Sequence, residues 1–174
     1  GSIGDVGCFS FFPTKNLSAI GDGGCVVTNN AVLANKMKRF RQYGWDKKRN
    51  TLQSGINSRL DELQAAILRK KLKKLDRDNM ERNLQAKFYK KKLQSLGIVM
   101  PRVCKNTFHS FHLFVIQCEK RDKLMKHLHS KNILTALHYK TPIHLMPGYS
   151  SKAQLPETTK LSKRILSLPL YPGL

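Results

Sequence analysis

Hydrophobic and polar positions along the chain change period several times, and each change predicts an element. Residues 7–12, GCFSFF, alternate aromatic groups and Cys8 with small residues, which predicts a short strand ended by Pro13. Gly21-Asp22-Gly23-Gly24 predicts a tight turn, because glycine reaches positive φ without a Cβ clash. Residues 25–28 predict a second strand. The period then lengthens: Val32, Leu33, Met37 and Phe40 are spaced for one buried helix face, with Asn29 or Asn30 as cap and an end near Arg41. QYGWDKKRNTLQSG, polar and with two glycines, predicts a loop.

Ser58 is expected to open the longest helix. Leu60, Leu63 and Ile67 recur along one stripe, and Leu72 and Leu75 extend it. Asp61 and Glu62 fall in its first turn, where acids complement the macrodipole. A break is expected at residues 76–79, the pattern resumes through Leu93, and Gly97 stops it. After Pro101 the period becomes two: Phe111, Leu113 and Val115 alternate with His112, Phe114 and Ile116, a strand. Residues 121–130 predict a helix, 133–139 a strand and 158–166 a short helix, with SLPLYPGL as an extended tail. The natural division lies near Gly97. Residues 1–97 form a helix-dominated first domain, and residues 98–174 a small α+β second domain.

Composition narrows the class. The chain has 174 residues with 40% hydrophobic content, enough for a packed core. No stretch approaches the ~20 apolar residues that cross a bilayer. The N-terminus lacks the basic start and apolar run of a signal peptide. Cys8, Cys25, Cys104 and Cys118 are scattered without a CxxC pair, which suits reduced thiols in the cytoplasm. A zinc site from Cys104, His109, His112 and Cys118 has an unusual spacing, and strand alternation explains the histidines without metal. No metal is expected. The net charge of +21 would attract polyanions. The basic residues, however, sit in RKKLKKLDR, KFYKKKL and KRDKLMKH, where helices are expected and lysine is a common solvated residue. No aromatic-basic interleaving of the RNA-binding kind accompanies them. Nucleic acid is therefore not the expected partner.

Lys15 stands apart from those blocks. It lies between a strand-like run and a glycine turn, flanked by Pro13, Thr14, Asn16 and Leu17. A lysine that attacks an aldehyde must lose a proton held with a pKa of about 10.4 in water, so it needs shelter or nearby positive charge. The mouth of a strand provides shelter; a solvated helix does not. On the residues alone, an ordinary loop lysine remains an open reading.

FSFFPTKNL followed by GDGG resembles the lysine segment of the DegT/DnrJ/EryC1/StrS family of sugar aminotransferases. GINSRLDELQAAIL, ALHYKTPIHLMPGY and LSLPLYP resemble three further segments of that family in the same order, so the resemblance covers nearly the whole chain. It implies an α/β, fold-type I aminotransferase: the end of the large domain plus a small α+β C-terminal domain. It implies pyridoxal 5'-phosphate as cofactor, and amino transfer from glutamate or glutamine to a nucleotide-linked ketosugar for surface polysaccharide or glycoconjugate synthesis.

By the same resemblance, Lys15 would bond to the cofactor aldehyde and shuttle protons, and Ser10 would donate its hydroxyl to the phosphate. Asn57 would reach the phosphate of a neighbouring subunit's cofactor, which implies a homodimer with shared sites. Arg59, His138 and Tyr139 would contact the sugar. Asn57 as a helix-entry residue, Arg59 as a surface residue and His138 as a satisfied strand histidine are the structural alternatives. A dehydratase branch carries histidine at the lysine position, so Lys15 favours transamination. GDGG resembles members that aminate C3 of the sugar, whereas GEGG is commoner among those acting at C4. The family's acid for the pyridine nitrogen lies upstream of the lysine in a segment this sequence does not contain. The chain is therefore expected to be about half of an enzyme, to bind the cofactor weakly and to be weakly active or inactive by itself. The alternative is a non-catalytic paralogue that pairs with a complete subunit.

Overall fold

The computed structural model describes residues 1–149 and 153–174. The chain divides into two compact units, Gly1–Asp76 and Arg77–Leu174. The division expected near Gly97 lies after the longest helix, whereas the boundary between the compact units falls before most of that helix, which packs with the C-terminal unit.

In the first unit, strands β1 (Gly7–Ser10) and β2 (Gly24–Val27) form an antiparallel pair, with Gly7 opposite Val27 and Ser10 opposite Gly24. β1 is shorter than residues 7–12 because the chain turns at Pro13, which cannot donate to a ladder. Helix α1 (Ala31–Phe40) is capped by Asn30, whose Oδ1 accepts from the N–H groups of Val32 and Leu33 at 2.9 and 3.1 Å. Its apolar stripe is not buried, contrary to expectation: Val32 is 76% exposed and Phe40 46%. Leu33 and Met37 of the same stripe are half-buried.

The loop after α1 folds back on itself. Gln42 bridges Asn57, and Trp45 bridges Thr51. Gly44 makes this possible: its φ is +73°, and a Cβ there would collide with the carbonyl oxygen of Gln53.

Helix α2 (Glu62–Leu72) begins later than the expected Ser58, after Asp61 in an extended conformation. It ends at Lys73 and Lys74, before α3 (Leu75–Leu93), the longest helix. The break thus precedes the expected residues 76–79. Arg69, Lys70, Lys73 and Lys74 place like charges three and four residues apart, which weakens a continuous helix. Asp76 and Asp78 belong to the first turn of α3, where their charge is favourable.

The second unit holds the larger core. Ala86 from α3, Phe114 and Ile116 from β3 (Phe114–Gln117) and Leu166 from β4 (Ile165–Leu168) are buried with Phe111 and Leu170. Fully burying such a Phe, Ile or Leu side chain contributes about 1.5–3 kcal/mol each. β3 and β4 are antiparallel, with Phe114 opposite Leu168 and Gln117 opposite Ile165. Helix α4 (Arg121–Ser130) adds Leu124, Met125 and Leu128 to this core.

Two expectations fail here. Residues 133–139 form no strand: Ala136 alone bridges Ser167. In that register Pro169 would stand opposite Leu134, so the ladder stops on that side, since proline cannot donate to it. The last helix, α5 (Pro156–Ser162), starts at a proline and ends before Ile165 and Leu166, which go into β4 instead. Two 3-10 turns, Ile143–Leu145 and Pro147–Tyr149, precede α5. No disulfide forms among the four cysteines. Among the described residues, no helix is long and apolar enough to cross a membrane.

Candidate functional site

The lysine loop is built from the end of β1. Ser10, its last residue, accepts a hydrogen bond at Oγ from the Phe12 N–H at 3.3 Å. The Phe12 carbonyl in turn accepts from the Lys15 N–H at 2.8 Å, closing the turn through Pro13 and Thr14. Phe11 holds both sides of the loop: its N–H donates to Gly23 O and its carbonyl accepts from Ala19 N–H, each at 2.8 Å. Lys15 is half-buried. Among the described residues, no carboxylate pairs with its Nζ.

Helix α2 fixes the return strand of this loop. Gln64 Oε1 accepts from Ile20 N–H and Gln64 Nε2 donates to Asp22 O, both at 3.1 Å. One turn on, Leu68 is buried in the same unit as Ala19. A turn further, Lys71 Nζ donates to both the carbonyl and the hydroxyl oxygen of Ser18 at 2.8 Å. Gln64, Leu68 and Lys71 follow the i, i+4, i+7 spacing of one helix face. The glycine turn admits this approach. A Cβ on Gly21 would stand 3.3 Å from Gln64 Nε2, and one on Gly23 3.1 Å from Leu60 Cδ1.

Asn57 and Arg59 lie in the extended segment before α2, not inside a helix. The Asn57 backbone bridges Gln42, and Ser58 N–H donates to Arg41 O at 2.9 Å. Arg59 Nε donates to Asn57 Oδ1 at 3.1 Å. That contact uses the acceptor oxygen of the Asn57 side chain and not its amide protons. Both residues are exposed.

In the second unit, His138 and Tyr139 line a cavity of about 360 Å³ with Thr141, Ile143, Met146 and Leu161 among its walls. The two rings meet edge to face, with centroids 5.5 Å apart. His138 Nδ1 lies 2.8 Å from Ser167 Oγ, and Ser167 is buried in β4.

The structure therefore brings Ser10 and Lys15 into one hydrogen-bonded turn, Asn57 against Arg59, and His138 against Tyr139. Of the residues of the zinc alternative, His109 accepts at Nδ1 from Phe111 N–H at 2.9 Å. Among the described residues, no three His, Cys, Asp or Glu side chains converge as a metal site would require. Gln64, Lys71 and Ser167 escaped the sequence reading. The spacing of Gln64, Leu68 and Lys71 carried a signal for the first two. Ser167 had none, because SLPLYPGL offered no partner for a serine.

By their chemistry the donors fit a phosphate-bearing aldehyde: an amine and a hydroxyl whose proton is not used by the Phe12 contact, in one turn, and the amide and guanidinium of Asn57 and Arg59 as a separate pair. The sequence profile of the DegT/DnrJ/EryC1/StrS aminotransferase family matches residues 1–174. The chain is 41% identical over 179 aligned positions to the dTDP-3-amino-3,4,6-trideoxy-alpha-D-glucose transaminase of Streptomyces venezuelae, covering all of this chain and 47% of that protein. It is 42% identical over 177 positions to the UDP-N-acetyl-3-dehydro-alpha-D-glucosamine 3-aminotransferase of Acidithiobacillus ferrooxidans, covering all of this chain and 48% of that one. The solved structure of S. venezuelae DesV in complex with a ketimine intermediate superposes with a TM-score of 0.93 at 41% identity, over 98% of this chain and 48% of the other. The chain thus spans about half the length of the curated relatives it matches.

Proposed function

The chain belongs to the DegT/DnrJ/EryC1/StrS aminotransferase family of pyridoxal-phosphate enzymes, and from that premise we propose that it carries the lysine half of a nucleotide-sugar aminotransferase. The observation that carries this reading is the Lys15 loop: half-buried, closed on Ser10 through Phe12, and held from α2 by Gln64 and Lys71. A lysine on a solvated helix has no such support. Its fold is the α/β, fold-type I aminotransferase region seen in the solved relatives. The unit Gly1–Asp76 would belong to the end of a large cofactor domain, and the unit Arg77–Leu174 to a small α+β domain that takes in the longest helix.

When bound, pyridoxal phosphate supplies an electron sink that lets an amino group leave one carbon skeleton for another. Lys15 Nζ would hold the cofactor through its aldehyde carbon, and the same amine would be the group placed to move a proton at the substrate carbon. Ser10 Oγ–H would donate to the phosphate. Asn57 would donate its amide protons to the phosphate in a neighbouring subunit, so the working form would be a homodimer. Arg59, with its fixed fork of donors, binds oxygens of the sugar. His138 and Tyr139 contact the sugar from the second unit.

The substrate is a nucleotide-linked ketosugar and the donor is glutamate or glutamine. The named relatives of S. venezuelae and A. ferrooxidans both aminate position 3, which supports C3 over C4 for this chain. Surface polysaccharide or glycoconjugate synthesis in the cytoplasm is the setting that suits such a product.

The test is a chimera in which residues 1–174 replace the matching half of the S. venezuelae transaminase. It is assayed with 15N-glutamate or 15N-glutamine and a dTDP- or UDP-linked 3-ketosugar. The reading predicts labelled amino sugar from the chimera and none from its Lys15→Ala form. Undiminished transfer with alanine at position 15 would refute it.

A further inference from the structure

We propose that Ser167 is a positioning residue that holds His138 in a single tautomer, with Nε2–H offered to the cavity as a hydrogen-bond donor for a sugar oxygen. The contact between His138 Nδ1 and Ser167 Oγ is 2.8 Å long. Ser167 is 4% exposed, and the ring nitrogen is the partner of its hydroxyl among the described residues. Two proton arrangements are open to such a pair. If Nδ1–H donated to Oγ, the serine proton would be left buried with no acceptor among the described residues, which is unfavourable. If the serine O–H donates to Nδ1, both groups are satisfied and the ring proton sits on Nε2. The second arrangement is the favoured one.

The backbone reinforces the pairing. Ser167 N–H donates to Ala136 O at 2.8 Å, and Ala136 N–H donates to Ser167 O at 3.1 Å, so the residue that orients the ring also fixes the chain two residues before it. Ser167 is held in turn by β3, where it stands opposite Val115. His138 borders the cavity of about 360 Å³ whose walls are mostly apolar. In such walls one fixed donor decides which polar group of a ligand is accepted. The ligand class inferred is a sugar presenting a hydroxyl or carbonyl oxygen as acceptor. This rests on the reading of His138 as a sugar contact in an aminotransferase.

The experiment separates the two ideas. In 15N-histidine-labelled full chain, the His138 ring is identified among six histidines by its loss in His138→Gln. Nitrogen NMR should show Nδ1 unprotonated and Nε2 protonated at neutral pH. Ser167→Ala should mix the tautomers, and Ser167→Thr, which keeps the hydroxyl, should restore the single form. A ring that is Nδ1–H in the wild type, or unchanged in Ser167→Ala, overturns the positioning role. In the chimera, Ser167→Ala should raise KM for the ketosugar about three- to tenfold, the worth of one neutral hydrogen bond, with kcat changing less. If the tautomer behaves as stated but His138→Gln leaves KM unaltered, the assignment of His138 to the sugar is overturned while the lock by Ser167 stands.

Discussion

Ser10 and Lys15 are tied to the two ends of one intervening residue: the Phe12 N–H donates to Ser10 Oγ at 3.3 Å, and the Phe12 carbonyl accepts from the Lys15 N–H at 2.8 Å. The backbones that carry the hydroxyl and the amine are thus joined by a short hydrogen-bonded path rather than by two independent loops. Ser10 is exposed and uses only its acceptor side here. Ser10→Ala should therefore change stability by no more than about 0.5 kcal/mol. Loss of a hydroxyl contact to a charged phosphate costs about 1.5–3 kcal/mol, so cofactor affinity should fall by roughly tenfold or more. Chemical denaturation and a cofactor titration read the two effects separately. A stability loss equal to the affinity loss would make Ser10 a purely structural residue.

The grip of α2 on the loop gives a second expectation. Gln64→Ala removes two hydrogen bonds, to Ile20 and Asp22, and should cost about 1–3 kcal/mol. Lys71→Met removes the pair to Ser18 and should cost less, because Lys71 is exposed and its loss leaves Ser18 open to water. Both should raise amide exchange at residues 18–22 while leaving the second unit's core unchanged. Exchange that rises uniformly along the chain would speak against a local clamp.

Arg82 is a buried cation that no carboxylate contacts directly among the bonds described. Its Nη1 donates to the carbonyls of Leu170, Phe111 and His112 at 2.8, 3.3 and 3.4 Å. Burial pulls its pKa down from the usual guanidinium value, and the charges of Asp78 and Glu81 partly offset that. It stays charged at every working pH. Arg82→Met should cost about 2–4 kcal/mol, since three carbonyls lose a charged donor. Arg82→Lys should recover only part, because an ammonium lacks the guanidinium's geometry. Urea midpoints of the two variants measure this; equal stability of Arg82→Lys and wild type would contradict it.

Asp46 sets a pH response in the loop after α1. Its Oδ1 accepts from Asn50 N–H at 2.9 Å and from Lys48 N–H at 2.8 Å, and its Oδ2 accepts from Asn50 Nδ2 at 3.3 Å. Its pKa is lowered, first by the Asn50 backbone bond. A lowered folded pKa means the stabilisation is present above the ordinary carboxylate value and is lost as pH falls through the lowered one. Amide protection at Lys48 and Asn50 should persist through the ordinary carboxylate range on acidification and vanish only below it. Asp46→Asn should remove that acid-side step.

Local signals in the sequence located most elements of this fold. Asn30, Gly97 and the arginine-to-serine helix at residues 121–130 were legible because caps, stops and periodicity are properties of neighbours in the chain. The apolar stripe of Val32 and Phe40 misled, because spacing predicts which face can be buried, not whether anything covers it. Residues 133–139 read as a strand by composition, yet their pairing depends on a partner segment thirty-odd positions away, where only Ser167 meets Ala136 (a distance no local window spans). The site was legible in the same uneven way. Lys15 declared itself by isolation from the basic blocks. Gln64 and Ser167 act through side-chain contacts to loops distant in sequence, so only the coordinates reveal them.

The most direct measurement is covalent. The chain is incubated with pyridoxal phosphate, reduced briefly with borohydride, digested and mapped by mass spectrometry. The account predicts that the reduced cofactor is found on the peptide bearing Lys15 well ahead of any of the solvated lysines in residues 70–74 or 91–92, and that Lys15→Ala abolishes this preference. Label spread evenly over those surface lysines, with Lys15 unmodified, would contradict it.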